Sequence, residues 1–91
     1  MAASEEGAAD GPERPADQRL DARGLVCPLP VLRAQKRLTA MAPGEILEVL
    51  ATDPAAPEDF RGFCAATGHR LLVLEADDEG SRLRIARARQ P

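Results

Sequence analysis

Four consecutive residues, Cys27-Pro28-Leu29-Pro30, combine a nucleophilic side chain with two residues that fix the backbone around it. Proline is tolerated in a helix only within the first turn, where its missing N–H had no intrahelical partner, so Pro28 and Pro30 set a helix start beside Cys27. Aligned peptide dipoles leave roughly half a positive charge at such a terminus, together with free N–H groups that hold anions. A thiolate is one such anion. A free cysteine titrates near about 8.5, and a helix N-terminus lowers this and enlarges the nucleophilic fraction at neutral pH. Each unit of lowering takes only about 1.4 kcal/mol. The residue before a proline avoids the helical region, so Leu29 leaves the register of that first turn open by a residue or two. The stretch from Gly24 to Val31 also fits a small apolar cysteine buried at a helix cap, and by itself it leaves both readings open.

The elements that must position this cysteine follow from periodicity. Gln18 to Arg23 reads as a short strand with Leu20 and Ala22 on one face and Asp21 on the other. From Pro28 to about Met41, Val31, Ala34, Leu38 and Met41 step by three and four, which predicts an amphipathic helix with Arg33, Lys36 and Arg37 on its outer surface. Ala42-Pro43-Gly44 stops it. Glu45 to Ala51 is apolar apart from Glu45 and Glu48 and suits a central strand. Asp53 is placed to cap a second helix, whose first turn tolerates Pro54 or Pro57 and is complemented by Glu58 and Asp59. Phe60, Phe63, Cys64 and Thr67 line one face of that helix, Gly62 suggests close packing against a neighbour, and Gly68 ends it. His69 to Ala76 predicts a third strand, with Leu71 and Val73 facing one way and Leu72 and Leu74 the other. Asp77-Asp78-Glu79-Gly80 makes a turn, and Ser81 to Ala88 a fourth strand in which Leu83 and Ile85 alternate with Arg82 and Arg84.

The order strand, helix, strand, helix, strand, strand predicts an α+β fold, a two-layer sandwich with both helices on one face of a four-stranded mixed sheet. The loop carrying Cys27 then falls at the C-terminal edge of the first strand, where open α/β sheets place their sites. With both helices on one side, some of Ile46, Leu50, Leu72 and Leu74 face outward, an apolar surface for a partner unless a tail or a second copy covers it.

Composition narrows the chemistry further. Ninety-one residues suffice for one small domain, and residues 1–17 look separate from it. They contain no Val, Ile, Leu or Phe and carry Glu5, Glu6, Asp10, Glu13 and Asp17 against Arg14. That is −4 of a total of −3, which leaves +1 for residues 18–91. We read residues 1–17 as a disordered acidic extension and 18–91 as the domain. The extension lacks the basic start and apolar run of a secretory signal, and nothing later is long enough to cross a membrane. With only Cys27 and Cys64, the chain also lacks a disulfide framework, so the expected setting is the reducing cytoplasm. One histidine, His69, is too few for a closed zinc site without recruited carboxylates, and no metal is expected. Two phenylalanines with no Tyr or Trp, on a near-neutral domain, argue against direct nucleic-acid binding.

Five landmarks stand in register: the run from Leu20 to Pro30, Pro43-Gly44-Glu45, Thr52-Asp53-Pro54, Gly62-Phe63-Cys64 and Gly68-His69. Together they resemble the TusA/SirA-like family of small sulfur-carrier proteins over about residues 18–88. The resemblance implies a βαβαββ sandwich whose cysteine accepts a sulfane sulfur from a cysteine desulfurase or rhodanese-like donor, holds it as a persulfide and passes it to an acceptor protein. It implies no cofactor. Carried onto this chain, Cys27 bears the sulfur and Gly24, Pro28 and Pro30 shape its turn, while Arg23, Arg33, Lys36, Arg37 and Asp53 surround it as candidates for transient docking. Val26 and Leu29 depart from the pattern, since members often place a charge beside the cysteine. The family spans tRNA thiolation, molybdenum cofactor supply, sulfur oxidation and selenium metabolism, which the motif does not separate. The alternative is a regulatory or redox module of the same fold, in which the Cys-Pro-Leu-Pro turn shapes a binding surface. Cys64 fits a core thiol better than a resolving cysteine, and His69 fits capping or packing better than a base.

Overall fold

Strong alternation in the last strand and threefold or fourfold spacing in the helices give each element one apolar face, and the structure closes these faces on each other. A computed structural model describes residues 11–89. It contains β1 (Gln18–Ala22), α1 (Leu29–Thr39), β2 (Ile46–Ala51), α2 (Ala56–Thr67), β3 (Arg70–Asp77) and β4 (Gly80–Ala86). The sheet runs β1-β2-β4-β3, with β1 and β2 parallel and the other two pairings antiparallel. Leu20, Ala22, Leu47, Val49, Leu83 and Ile85 on one sheet face meet Ala34 and Leu38 of α1 and Ala56, Phe60 and Cys64 of α2. Both helices therefore cover the same face, as the order of elements predicts. Full burial of Phe60 alone is worth about 1.5–3 kcal/mol.

The helices end where expected. Pro30 is the second residue of α1, Gly68 ends α2 in the left-handed region at φ 87°, and its N–H donates to the Cys64 carbonyl. Other expectations need correction. Asp53 does not occupy the cap position of α2; Ala55 does, and the Asp53 carboxylate instead accepts the Ala55 N–H at 3.0 Å from two residues upstream. A Cβ on Gly62 would meet nothing within 4 Å, so close packing is not what favours glycine there. The alternation expected in β3 breaks between Leu71 and Val73, where the register shifts. Leu72 is the extra residue, so Leu71 and Leu74 pair with Ile85 and Leu83 and both pack on the core. Leu74 thus leaves the outer face.

The outer face also differs from an open apolar surface. Residues 11–17, read from composition as part of a separate extension, lie across it, while residues 1–10 fall outside the described residues. Asp17 donates its N–H to the Ile46 carbonyl at 2.9 Å and accepts the Ile46 N–H on its carboxylate at 2.8 Å. Glu13 pairs with Arg82 at 2.6 Å, and the Arg14 carbonyl accepts from Arg84. The reason lies in Arg84, only 4% exposed and pointing away from the helices beside Glu48. A buried guanidinium needs acceptors, and the segment around Glu13 and Arg14 supplies them.

Candidate functional site

The C-terminal ends of the parallel strands β1 and β2 stand side by side, with Ala22 opposite Ala51. The loops leaving them touch. Gly24, at φ 83°, turns the chain out of β1 in a conformation that favours glycine, and its N–H donates to Thr52 Oγ1 at 2.9 Å. Three residues on, the Cys27 N–H donates to Asp53 Oδ2. Thr52 and Asp53 therefore hold the loop at two backbone amides, one on each side of its tip. The two N–H groups that Asp53 accepts, from Ala55 first and Cys27 second, keep its carboxyl below the usual range. The carboxylate stays charged and the clamp stays closed at neutral pH.

Cys27 itself is exposed, at a cis Cys27–Pro28 peptide and directly before α1. Its electrostatics differ from the expected anion cradle. The Leu29 N–H is taken by the Val26 carbonyl at 2.9 Å, and Pro28 and Pro30 have none, so the first turn offers an anion few donors. The Asp59 carboxylate of α2, as an acceptor that favours the protonated thiol, is the first cause pushing the Cys27 pKa above its ordinary value, followed by partial desolvation and the negative charges of Asp59 and Asp53. The resting side chain is a protonated thiol at neutral pH.

The other expected residues separate into groups. Arg23 folds back on Asp21, with Nε on Oδ1 at 2.8 Å and Nη2 on Oδ2 at 3.0 Å, and this pairing brings the Asp21 pKa down to about 2. Arg37 donates to the Arg19 carbonyl at 2.9 Å. Arg33 and Lys36 are exposed on α1. Spaced at three and four residues, Leu29, Leu32, Arg33 and Lys36 form one stripe running from the cysteine along the helix. Pro30 is buried under it. Cys64 is buried in the core, with desolvation raising its pKa to about 11, and both cysteines are free. His69 accepts the Ala88 N–H on Nδ1 at 2.8 Å and stacks near Phe63, the capping and packing role rather than that of a base at Cys27.

Three contributions to the site go beyond the sequence reading. Thr52, one of the landmark residues, and Asp59, expected only to complement the α2 dipole, act across the fold on a loop distant in sequence. The third is apolar: Val26, Leu29 and Leu32, at 65%, 39% and 52% exposure, are large hydrophobic side chains on the surface, and all three flank Cys27. A break in the α1 pattern was visible at Leu32, which falls off the Val31, Ala34, Leu38 face.

A family model described as Sulfurtransferase TusA matches residues 18–87. The chain belongs to the TusA family. Among relatives, the sulfur carrier protein TusA of Allochromatium vinosum is 52% identical over 66 residues, spanning 72% of this chain and 84% of that one. A Neisseria meningitidis serogroup A relative is 54% identical over 61 residues, covering 67% and 82%. The crystal structure of a SirA-like protein from Desulfitobacterium hafniense aligns with a TM-score of 0.67 at 28% identity, covering 78% of this chain and 97% of that one. The matched span, residues 18–87, includes Gly24, Cys27, Thr52, Asp53 and Asp59.

Proposed function

We propose that this protein is a sulfur carrier that takes up a sulfane sulfur as a persulfide on Cys27 and relays it to a second protein. The observation that carries the reading is an exposed thiol on Cys27, at the end of a loop whose backbone is held at Gly24 by Thr52 and at Cys27 itself by Asp53. In the uptake step Cys27 sulfur attacks the terminal sulfur of a donor persulfide. The S–S bond within the donor breaks, a new S–S bond forms on Cys27, and the donor cysteine leaves as a thiol. One thiol and one persulfide give one persulfide and one thiol, so no oxidant or reductant enters. The proton leaving Cys27 ends on the donor sulfur, and Asp59, the carboxylate that chiefly raises the thiol pKa, is the group placed to hold it in passage. Delivery is the same exchange in reverse, with the acceptor as nucleophile.

Gly24, Pro28 and Pro30 support the site by fixing the loop and the helix start. Docking falls to the apolar collar of Val26, Leu29 and Leu32, with Arg33 and Lys36 continuing the same stripe and Arg37 at its far end. Arg23 and Asp53, assigned to docking from sequence, serve the loop itself through Asp21, Ala55 and the Cys27 N–H. Partners of this kind are a cysteine desulfurase or rhodanese-like donor and a protein acceptor, met in turn and released. No described helix is long and apolar enough to cross a membrane, and a cytoplasmic relay fits such a chain.

Incubation with a cysteine desulfurase and cysteine, followed by intact mass spectrometry, tests the reading. The wild-type chain gains one sulfur atom on Cys27 and Cys27→Ser gains none. A wild-type chain that gains no sulfur from several donors favours the second reading, a binding module, to which the raised thiol pKa would then belong.

A further inference from the structure

At the opposite end of β2 from Cys27, a cleft of about 560 Å³ opens between the segment at Gly11–Arg14, the β2 start and the chain after β4. Its charged lining is Arg14, Arg70, Arg87 and Arg89, its apolar lining includes Ile46 and Leu72, and no aspartate or glutamate among the described residues lines it. The guanidinium groups are brought there by specific contacts. Arg14 Nη2 donates to the Gly44 carbonyl at 2.6 Å, and the Arg89 guanidinium lies 3.4 Å from where a Gly44 Cβ would stand. Two arginines from opposite ends of the described chain thus converge on one loop. Arg87 is fixed by Nε on the Leu38 carbonyl at 3.0 Å and Nη1 on the Ala88 carbonyl at 2.8 Å.

Countercharge is sparse. Asp17 stands 4.0 Å from Arg14 while its carboxylate also accepts the Ile46 N–H. Arg70, Arg87 and Arg89 form no ion pair among the described residues. Like charges gathered this way repel, and a bound anion relieves that repulsion. Guanidinium forks match phosphate oxygens in pairs, and the volume is in the range of small-molecule sites. His69 borders Arg87 through Ala88; burial first and the Arg87 charge second hold its pKa down, so it adds no further positive charge at neutral pH.

We infer that this cleft binds a phosphate-bearing small molecule of about nucleotide size, its phosphates on the arginines and its remaining body against Ile46 and Leu72. Titration calorimetry on the full chain at low salt, with ATP and with pyrophosphate as probes, tests this. As a control for the acidic residues that precede Gly11 in the sequence, the E5Q/E6Q/D10N chain is titrated alongside. The expected result is saturable binding of ATP, at least as tight as that of pyrophosphate, weakened about tenfold or more by Arg70→Ala with Arg89→Ala. Both residues are exposed, so the melting temperature and sulfur loading on Cys27 stay unchanged. The pair Arg33→Ala with Lys36→Ala removes the same charge elsewhere and leaves binding intact. The inference is overturned if neither chain binds either probe at low millimolar concentration, if the Arg70 and Arg89 variant binds as well as wild type, or if the Arg33 and Lys36 variant loses as much.

Discussion

Cys27 lies on the surface just before α1, in a loop whose backbone N–H groups donate to the side chains of Thr52 and Asp53, whereas Cys64 is 6% exposed in α2 among Phe60, Leu83 and Ile85. Both thiols are held above their ordinary pKa, for different reasons. At Cys64 the cause is desolvation, which only unfolding removes. At Cys27 it is chiefly the Asp59 carboxylate of α2. A low resting pKa is therefore not what separates the proposed sulfur-bearing thiol from the structural one. Reach separates them, together with a loop backbone fixed firmly enough to present the sulfur in one direction.

The widest gap between the two sites should appear on alkylation of the folded protein. Iodoacetamide at about pH 8 is expected to label Cys27 at least about a hundredfold faster than Cys64, because labelling of a core thiol waits for rare opening of the fold. In denaturant the two rates should converge. Peptide mapping by mass spectrometry reads both, and comparable labelling of Cys64 in the native state would erase the distinction between a presented sulfur and a packed one.

How much of this was legible beforehand also divides along local and long-range lines. Strand and helix order, the Pro30 helix start, the Gly68 stop and the burial of Cys64 all follow from residues next to one another, and each stands as read. What the sequence did not carry involves groups distant in the chain. The thiol environment was inferred from the helix terminus alone, yet Pro28 and Pro30, which mark that terminus, also remove its donors, and Asp59 arrives from another helix. Residues 11–17 contain no Val, Ile, Leu or Phe, a composition that predicts a segment with no place in the core. Their attachment is polar instead, made to Arg82, Arg84 and the Ile46 backbone, and depends on a buried arginine that strand alternation had turned outward. The shift at Leu72 has no local signal either, since an extra residue in a strand of consecutive leucines and valine leaves the composition unchanged.

A second consequence of the contrast concerns alkaline stability. An acid whose folded pKa is raised is protonated in both states below its unfolded value. Above that value the unfolded chain ionises first, and stability falls as pH rises until the folded group ionises too. For Cys64 the window runs from 9.0 in the unfolded chain to about 11 in the fold, and at about 1.4 kcal/mol per unit the loss is on the order of 3 kcal/mol. Urea unfolding at about pH 8 and about pH 10 should show wild type losing more stability than Cys64→Ala between the two. An equal decline in both would mean that the core thiol is not the group responsible.

The finest distinction is at Cys27, where Asp59→Asn removes the charge but keeps a side chain of the same shape. With the carboxylate gone, the largest cause raising the thiol pKa is lost, so the thiolate fraction at about pH 7 rises. Nucleophilicity per thiolate falls as its pKa falls, with a Brønsted coefficient of about 0.4–0.5, so the alkylation rate rises by less than the thiolate fraction does. The pH midpoint of that rate should move down while Cys64 labelling stays unchanged. Sulfur uptake from a protein donor responds differently. If Asp59 only restrains the thiol, uptake accelerates with alkylation; if it also carries the proton toward the departing donor sulfur, uptake slows while alkylation quickens. Opposite signs in the two assays of one variant would assign Asp59 a part in the transfer, and an unchanged alkylation midpoint would remove it from the site.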